Sequence, residues 1–216
     1  MIPALLIFLY RKYVNPKAGN KRVALKLFRK SLLIAILLLP GIPYAQEKVS
    51  VYNDAVIGKM QFRQKVDGDN LYLAMTSEAQ IRFIYSFRVK TLDKSCFADG
   101  KLLHSSVYRN VNGKEKDNRK TRLVNDTYQV QAGNAVSQIS SPIYYNMMLL
   151  YCREPVTINR VYSDNFQRFL SIKKTGTHSY RINLPDGNYN DYHFENGICS
   201  RVIVHQSLYT IQMVKS

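Results

Sequence analysis

The feature that most constrains this chain is a two-residue alternation of apolar and polar side chains, interrupted at short intervals by turn-forming pairs. Leu71, Leu73 and Met75 fall on one face, and so do Tyr180, Ile182 and Leu184. This period indicates β-strands with one buried face. Asp-Gly and Asn-Gly pairs supply the positive φ angles that tight hairpin turns need. Such turn signals occur at Asp67-Gly68, Asp99-Gly100, Asn112-Gly113, Pro185-Asp186-Gly187-Asn188 and Asn196-Gly197.

One segment breaks the alternation. Ser141 can cap a helix, Pro142 suits a first helical turn, and Pro155 bounds the other end. The residues between them are apolar nearly all round, which predicts an α-helix over about residues 142–152 that must be buried. The expected fold is therefore mainly β: a strongly curved antiparallel sheet or half-open β-barrel with this helix packed inside. A β-sandwich is the alternative.

The N-terminal residues are typical of a secretory signal peptide. A basic stretch ending at Lys30 precedes the apolar run from Ser31 to Leu39, and Ala45 offers a small residue for cleavage before Gln46. The apolar run is shorter than the roughly 20 residues of a transmembrane helix. We expect residues 1–45 to form an N-terminal extension with a signal helix, and residues 46–216 to form a single antiparallel β domain exported to the periplasm or outer cell envelope.

A second apolar run, Ile2 to Tyr10, has no role in such a leader. One hypothesis is that the true start is Val23, which would leave a leader of ordinary layout. The alternative is an uncleaved N-terminus that anchors the domain at the inner membrane.

The charge distribution argues against a nucleic-acid partner. The formal net charge is +16, but residues 1–45 hold eight basic residues and no acidic one, about half of the excess. The densest later run is interrupted by Glu115 and Asp117 and is interpreted as a solvated hairpin, because polyanion binding needs clustered, unopposed cations. This run comprises Lys114, Lys116, Arg119, Lys120 and Arg122.

No motif in the chain indicates catalysis, a metal or a cofactor. Cys199 lies six residues from both His193 and His205, but a turn intervenes and the span is too long for a catalytic pair. His104, His178, His193 and His205 are scattered, although His178 and His193 could face each other across a hairpin. Asp186, Asp191 and Glu195 cluster in turn regions, where acids are common for local reasons. A Cys96–Cys199 disulfide is conceivable, but no disulfide is favoured, with Cys152 as a small core residue.

The C-terminal half contains a series of strand and turn elements with a family resemblance: Ser141-Pro142-Ile143, Tyr151 with Glu154-Pro155, Val161-Tyr162-Ser163, Phe169-Leu170, the stretch from Tyr180 to Asn188, and the stretch from Tyr192 to Cys199. In these residues the chain resembles a family of uncharacterised exported proteins, found mainly in Bacteroidetes, that carry a domain of unknown function. The resemblance covers most of residues 46–216. It implies an exported β domain and no particular activity.

The aromatic and methionine side chains of the predicted helix suggest a pocket. Tyr144, Met147, Met148 and Tyr151 would lie against the concave sheet, where an apolar ligand could be held; the simpler interpretation is that they fill the core. The first hypothesis is a binding protein for a hydrophobic small molecule or lipid. The alternatives are a non-catalytic structural or assembly partner of an envelope protein, and an unrecognised hydrolase in which a histidine meets a carboxylate or Cys199. Contact with a membrane is expected only through the leader.

Overall fold

The computed structural model describes residues 45–52, 55–82, 86–207 and 209–215, which form fourteen strands and one short 3₁₀ helix. The strands are β1 (Ala45–Tyr52), β2 (Ala55–Asp67), β3 (Asn70–Arg82), β4 (Ser86–Ala98), β5 (Lys101–Val111), β6 (Lys114–Val124), β7 (Thr127–Ala132), β8 (Ala135–Ile139), β9 (Arg160–Ser163), β10 (Arg168–Gly176), β11 (Ser179–Asn183), β12 (Tyr189–Glu195), β13 (Ile198–His205) and β14 (Thr210–Lys215). The 3₁₀ helix spans Leu149–Tyr151.

Every ladder between named strands is antiparallel, and the strands follow the order β8-β7-β6-β5-β4-β3-β2-β1-β14-β13-β12-β11-β10-β9. Two series of hairpins, β1–β8 and β9–β14, are joined where the first strand pairs with the last. The prediction of a mainly antiparallel β domain is confirmed. Neighbouring pairs link the strands in one continuous order.

The predicted turns all lie at hairpin connections. Asn112 and Gly113 both have positive φ, 51° and 83°, between β5 and β6, and Asn196 and Gly197 repeat this between β12 and β13 at 51° and 76°. Glycine at the second position reaches this region without the steric cost of a Cβ. The twist of such turns matches that of the paired strands, so each pair sets the register of its hairpin.

The core lies on one face of the sheet. Phe62 on β2 and Tyr192 on β12, at 0% and 1% exposure, belong to the same apolar cluster although their strands lie far apart in the strand order. The ring of Tyr151 bridges them, with centroids 5.7 Å from Phe62 and 6.4 Å from Tyr192. A sheet whose distant strands contact one side chain must be strongly curved, with its apolar face on the inside.

Strand β9 and the turn that follows it tie the two ends of the strand order together. The Tyr162 hydroxyl lies 3.0 Å from the Thr121 hydroxyl of β6, and the Gln167 amide donates to the carbonyls of Lys120 and Gln131, at 3.2 and 2.9 Å. These are contacts through side chains. In the described part of the chain no backbone ladder joins β8 to β9, so the barrel-like wall stays open there.

The predicted α-helix over residues 142–152 is wrong, although its burial is correct. Ile143 accepts a hydrogen bond from the Leu102 backbone amide at 2.8 Å, and Tyr162 exchanges backbone hydrogen bonds with Tyr145 and Met147 at 2.9 and 3.0 Å. Backbone amides and carbonyls that an α-helix would pair within itself are thus hydrogen-bonded to residues of β5 and β9. Ile and Tyr are also poor helix formers, and a helix of about eleven residues is marginal by itself. Only Leu149–Tyr151 form a single 3₁₀ turn.

The expected leader, its signal helix and the Val23 start lie outside the described residues. The first described strand, β1, begins at Ala45, where cleavage before Gln46 is expected. Among the described helices, none has the length and apolar character needed to cross a bilayer.

The side-chain ties across the opening generate a stability prediction. Changing Tyr162 to Phe removes a fully buried hydroxyl and leaves the buried Thr121 without this partner. We expect the free energy of unfolding to fall by about 1–3 kcal/mol, measured as a lower urea midpoint at unchanged slope. Tyr108→Phe, which removes a hydroxyl from a half-buried tyrosine on β5, is the matched control and should change stability by less than about 0.5 kcal/mol. Equal losses in both variants would contradict the role of the tie.

Candidate functional site

The chain between β8 and β9, residues 140–159, runs through the inside of the curved sheet and borders two cavities. Its backbone is held by the hydrogen bonds to Leu102 and Tyr162, and Asn146 accepts a hydrogen bond from the Leu149 amide at 3.3 Å. We call this stretch the crossing segment. The fold thereby fixes which of its side chains point to each cavity.

The first cavity opens at the end of the sheet where the turns β2–β3 and β4–β5 lie. Its volume is about 370 Å³, and we call it the end cleft. Its walls combine apolar side chains with three polar ones, Gln64, Asp69 and Arg153. It is lined by Gln64, Val66, Asp69, Leu71, Phe97, Gly100, Tyr144, Leu149, Cys152 and Arg153.

The second cavity lies deeper, on the other side of the crossing segment. It has a volume of about 120 Å³ and is lined by polar as well as apolar groups. We call it the inner cavity. Its walls are Met75, Asp93, Val107, Met147, Met148, Tyr151, Asp164, Asn165, Asn190 and Tyr192.

A chain of buried polar side chains supports the inner cavity. Asp164 accepts hydrogen bonds from the Ser105 hydroxyl and from the Asn146 amide, the latter at 3.0 Å. Asn146 also donates to the Ser95 hydroxyl at 2.8 Å, and Ser95 donates to the Met148 sulfur at 3.2 Å. These bonds fix the crossing segment to β4, β5 and the β9–β10 turn.

Two oxygens at the inner cavity lack a donor. Asp93 Oδ1 and Asn190 Oδ1 are buried and have no hydrogen-bond partner among the described residues. Burial and the nearby Asp164 carboxylate raise the pKa of Asp93 to about 7, against an opposing effect of Arg109. Burial also raises the pKa of Asp164 to about 6, although the Ser105 and Asn146 hydrogen bonds lower it. The space suits a few water molecules or a small hydrogen-bond donor.

The structure separates the four residues predicted to line a ligand pocket. Met147, Met148 and Tyr151 border the inner cavity, whereas Tyr144 is 58% exposed and lines the end cleft. The separation follows from the loss of the α-helix, because Tyr144 lies before the turn and the 3₁₀ helix that carry Met147, Met148 and Tyr151. Leu149 and Cys152, also in the end cleft, come from the same segment.

A third depression, the outer groove, lies over β11–β14, has a volume of about 710 Å³ and brings two histidines to one surface. His178 Nδ1 lies 3.0 Å from both carboxylate oxygens of Glu154, which also accepts a hydrogen bond from the Tyr180 hydroxyl at 2.8 Å. Burial acts to raise the pKa of Glu154, but these hydrogen bonds outweigh it and hold the pKa below its ordinary value. A histidine therefore does meet a carboxylate, as the hydrolase alternative requires.

The second histidine of the outer groove contacts a serine. The Ser179 hydroxyl lies 3.0 Å from His193 Nδ1, because these residues are direct cross-strand partners in β11 and β12. Burial and Arg201 lower the pKa of His193. A serine hydrolase needs its base oriented by a further group, but the carboxylate of Glu154 is engaged by His178, and no carboxylate hydrogen bond to His193 is present among the described side chains. The two pairs thus do not form one triad.

The remaining chemistry-bearing residues have local roles. Cys199 is buried, and its thiol donates to the Arg201 carbonyl at 3.6 Å. No disulfide links Cys96, Cys152 and Cys199, and burial raises the pKa of the Cys152 thiol to about 11. Asp191 accepts a hydrogen bond from Arg181 Nε at 2.7 Å. Asp186 instead accepts a hydrogen bond from the Asn188 amide within its turn, and Glu195 is exposed. Within the described chain no three potential ligands cluster in a way that would hold a metal ion.

Sequence reasoning missed the polar wall of the inner cavity. A signal existed in the alternation itself, since Ser105, which donates a hydrogen bond to the wall residue Asp164, shares a strand face with Val107. Polar residues at inward positions of strands must find partners inside the protein. Asp93 and Asp164 lie 71 positions apart in sequence, so their proximity depends on the curvature of the sheet.

Comparisons with known proteins identify a family but no activity. A family model described as a domain of unknown function (DUF6134) matches residues 49–216. The chain is similar to a solved structure described as a beta-barrel-like protein of domain of unknown function DUF1849 from Brucella abortus. The TM-score is 0.59 at 6% identity, over 81% of this chain and 96% of that one. This likeness shows the fold alone. No curated protein matches the sequence.

The buried carboxylates generate a pH prediction. Asp93 keeps its proton to about pH 7 when folded but ionises near its ordinary pKa of 3.8 when unfolded. The folded state therefore binds more protons in this window, so its stability is full below about pH 4 and falls as the pH rises to about 7. We expect Asp93→Asn to make this fall shallower, leaving the part that Asp164 contributes, and to raise the free energy of unfolding at pH 8 by roughly 1–3 kcal/mol.

The measurement is urea unfolding across pH 3–8 for the wild type and the variant. Asp69→Asn removes the same charge from an exposed carboxylate and should leave the fall in place. A variant Asp93→Asn whose stability still falls with pH as steeply as that of the wild type would show that the raised pKa belongs elsewhere.

Proposed function

The chain belongs to the family of the domain of unknown function DUF6134, and from this premise we propose that it is a non-catalytic binding domain that holds a hydrophobic or lipid-like ligand in the end cleft. The observation that carries the proposal is a recess of about 370 Å³ at the end of the curved sheet, where apolar side chains lie beside Gln64, Asp69 and Arg153. Ligand pockets are concave, largely apolar and about 300–1,000 Å³ in volume, with few polar groups. The volume of the end cleft falls within that range.

The exposure of the cleft residues supports an occupant. Val66 and Tyr144 are 68% and 58% exposed, although they lie beside the core residues Phe97 and Leu149, at 2% and 1%. Exposed apolar surface next to a recess is typical of a binding site. An apolar ligand that covered Val66 and Tyr144 would extend the core outward.

The polar groups of the cleft would orient such a ligand. Arg153 and Asp69 are exposed, and neither forms a salt bridge with a described residue. Gln64 provides an uncharged donor and acceptor in the same lining. A ligand with an apolar body and one polar end would place that end near these three side chains.

The inner cavity suits a lipid less well. Its volume of about 120 Å³ is below the range of small-molecule pockets, and two carboxylates line it. Burying an acyl chain there would leave Asp93 and Asn190 without donors. We therefore assign the ligand to the end cleft and solvent to the inner cavity.

The proposed setting is the periplasm or the outer cell envelope, reached through the leader. The basic stretch ending at Lys30, the apolar run and the cleavage point after Ala45 support this assignment. An envelope domain that binds a hydrophobic molecule would protect its apolar surface from water.

The cleft generates a binding prediction. A dansyl-labelled fatty acid is titrated into the full chain and its fluorescence followed. We expect saturable binding, weakened about tenfold or more by Val66→Lys, because the lysine would put a charge where the apolar body of the ligand is expected to lie. Val136→Lys changes an equally exposed valine on β8, at 65% against 68%, and should bind like the wild type.

Absence of saturable binding, together with no lipid in an organic extract of the purified protein, would contradict the proposal and favour a structural or assembly role. Equal loss in both lysine variants would show that the dye binds outside the cleft. Comparison of a fatty acid with a fatty amine then shows which side chain meets the polar end of the ligand. Tighter binding of the acid would indicate Arg153, and tighter binding of the amine would indicate Asp69.

The localisation generates a separate prediction. Protein expressed from the full coding sequence in a Gram-negative host should be recovered in the periplasmic or envelope fraction, with Gln46 as the first residue by N-terminal sequencing. Leu37→Arg, which places a charge in the apolar run, should block export and leave an unprocessed precursor. An unprocessed wild-type chain in the inner membrane would support the anchored alternative.

A further inference from the structure

The outer face of the first half of the sheet gathers cations that lie far apart in sequence. Arg63 on β2 follows the buried Phe62, Lys94 on β4 precedes the buried Ser95, and Lys120 and Arg122 on β6 flank the buried Thr121. Because side chains alternate along a strand, these four side chains point away from the core. We call this surface the basic face.

Strand register places three of these cations in one row across the sheet. The row alternates cations with small side chains, in the order Arg63, Ala74, Lys94, Ser106 and Lys120. Neighbouring strands are about 4.8 Å apart, so successive cations stand roughly 10 Å apart and the row spans about 19 Å. Ala74 and Ser106 are too short to shield the charges between them.

A second row runs beside the first and adds Arg122 at one end and Lys65 at the other. The row consists of residues that pair from strand to strand, in the order Lys65, Tyr72, Cys96, His104 and Arg122. Lys65 is partly neutralised by Asp67, 3.1 Å away. Neither row contains a carboxylate, and among the described residues Arg63, Lys94, Lys120 and Arg122 form no salt bridge.

A shallow apolar recess lies between the two rows. It has a volume of about 300 Å³, with Tyr72, Ala74 and the aliphatic stems of Arg63, Lys65 and Lys94 around it. Lysine and arginine extend their apolar stems along such surfaces and keep the charge at the outside. Tyr72, which is 41% exposed, adds an aromatic side chain of the kind found at membrane interfaces.

From this arrangement we infer that the basic face docks the domain onto a bilayer surface that contains anionic phospholipids. The cations spread over two dimensions of a convex surface, which suits a plane of headgroups. A groove that follows a single nucleic-acid strand would need concave walls and stacked bases. The apolar recess between the cations would take part of a lipid at the interface. This goes beyond the end cleft, because it needs no ligand bound there.

The experiment is co-sedimentation of the full chain with vesicles, so that wild type and variants share the same N-terminal residues. Vesicles of phosphatidylcholine with phosphatidylglycerol are compared with vesicles of phosphatidylcholine alone, at low and high salt. Each basic residue near an anionic surface contributes about a fivefold increase in binding. We expect binding only to the anionic vesicles, loss at high salt, and weakening by roughly 25-fold in Lys94→Gln/Lys120→Gln.

The control is Arg168→Gln/Lys173→Gln, which removes the same charge from exposed positions of β10. It should bind as the wild type does. Equal binding to uncharged vesicles, or equal weakening in both double variants, would overturn the inference. So would binding of heparin or single-stranded DNA as tight as binding of anionic vesicles, since the face would then recognise soluble polyanions. Circular dichroism and urea midpoints confirm that each variant is folded.

Discussion

The burial of the crossing segment inside an open sheet is the constraint on which the remaining structure depends. A wall of fourteen strands has one apolar face, and that face needs something to cover it. The segment from Ile143 to Tyr151 supplies this cover, and its backbone groups are paired with Leu102 and Tyr162. Without those pairings the buried amides and carbonyls would oppose folding. The position of the segment then creates the end cleft on one side and the inner cavity on the other.

The sequence was informative wherever structure follows from neighbours along the chain. Asn112-Gly113 and Asn196-Gly197 predicted hairpins because their φ preferences act locally. Alternation placed Leu73 and Ile182 on buried faces for the same reason. The helix prediction failed because an apolar run with capping residues is also suitable for an irregular segment whose hydrogen-bond partners lie elsewhere in the chain. Burial could be predicted from composition, but the backbone conformation depended on those distant partners.

The candidate sites show the same division. Met147, Met148 and Tyr151 were expected together and do border one cavity, yet its carboxylates come from β4 and from the β9–β10 turn. The basic face was hidden for a related reason. Lys120 and Arg122 belong to a run that contains Glu115 and Asp117, so the positive charge of the run looked neutralised in sequence. On the sheet, however, the cross-strand partners of these two cations on β5 are Ser106 and His104. Register between strands, which one sequence does not reveal, decides what surrounds each charge.

The pairing of β1 with β14 bears on how the chain reaches its folded form. Every other neighbouring pair in the strand order is also adjacent along the chain, so two meanders can assemble from local contacts. The ladder between Lys48–Val51 and Gln212–Lys215 joins residues more than 160 positions apart. Closing such a loop is entropically costly and is expected to come late. The β1–β14 ladder therefore joins two meanders that can each form beforehand. A chain that ended before its last strand would leave β1 and β13 with unpaired backbone amides and carbonyls along one edge.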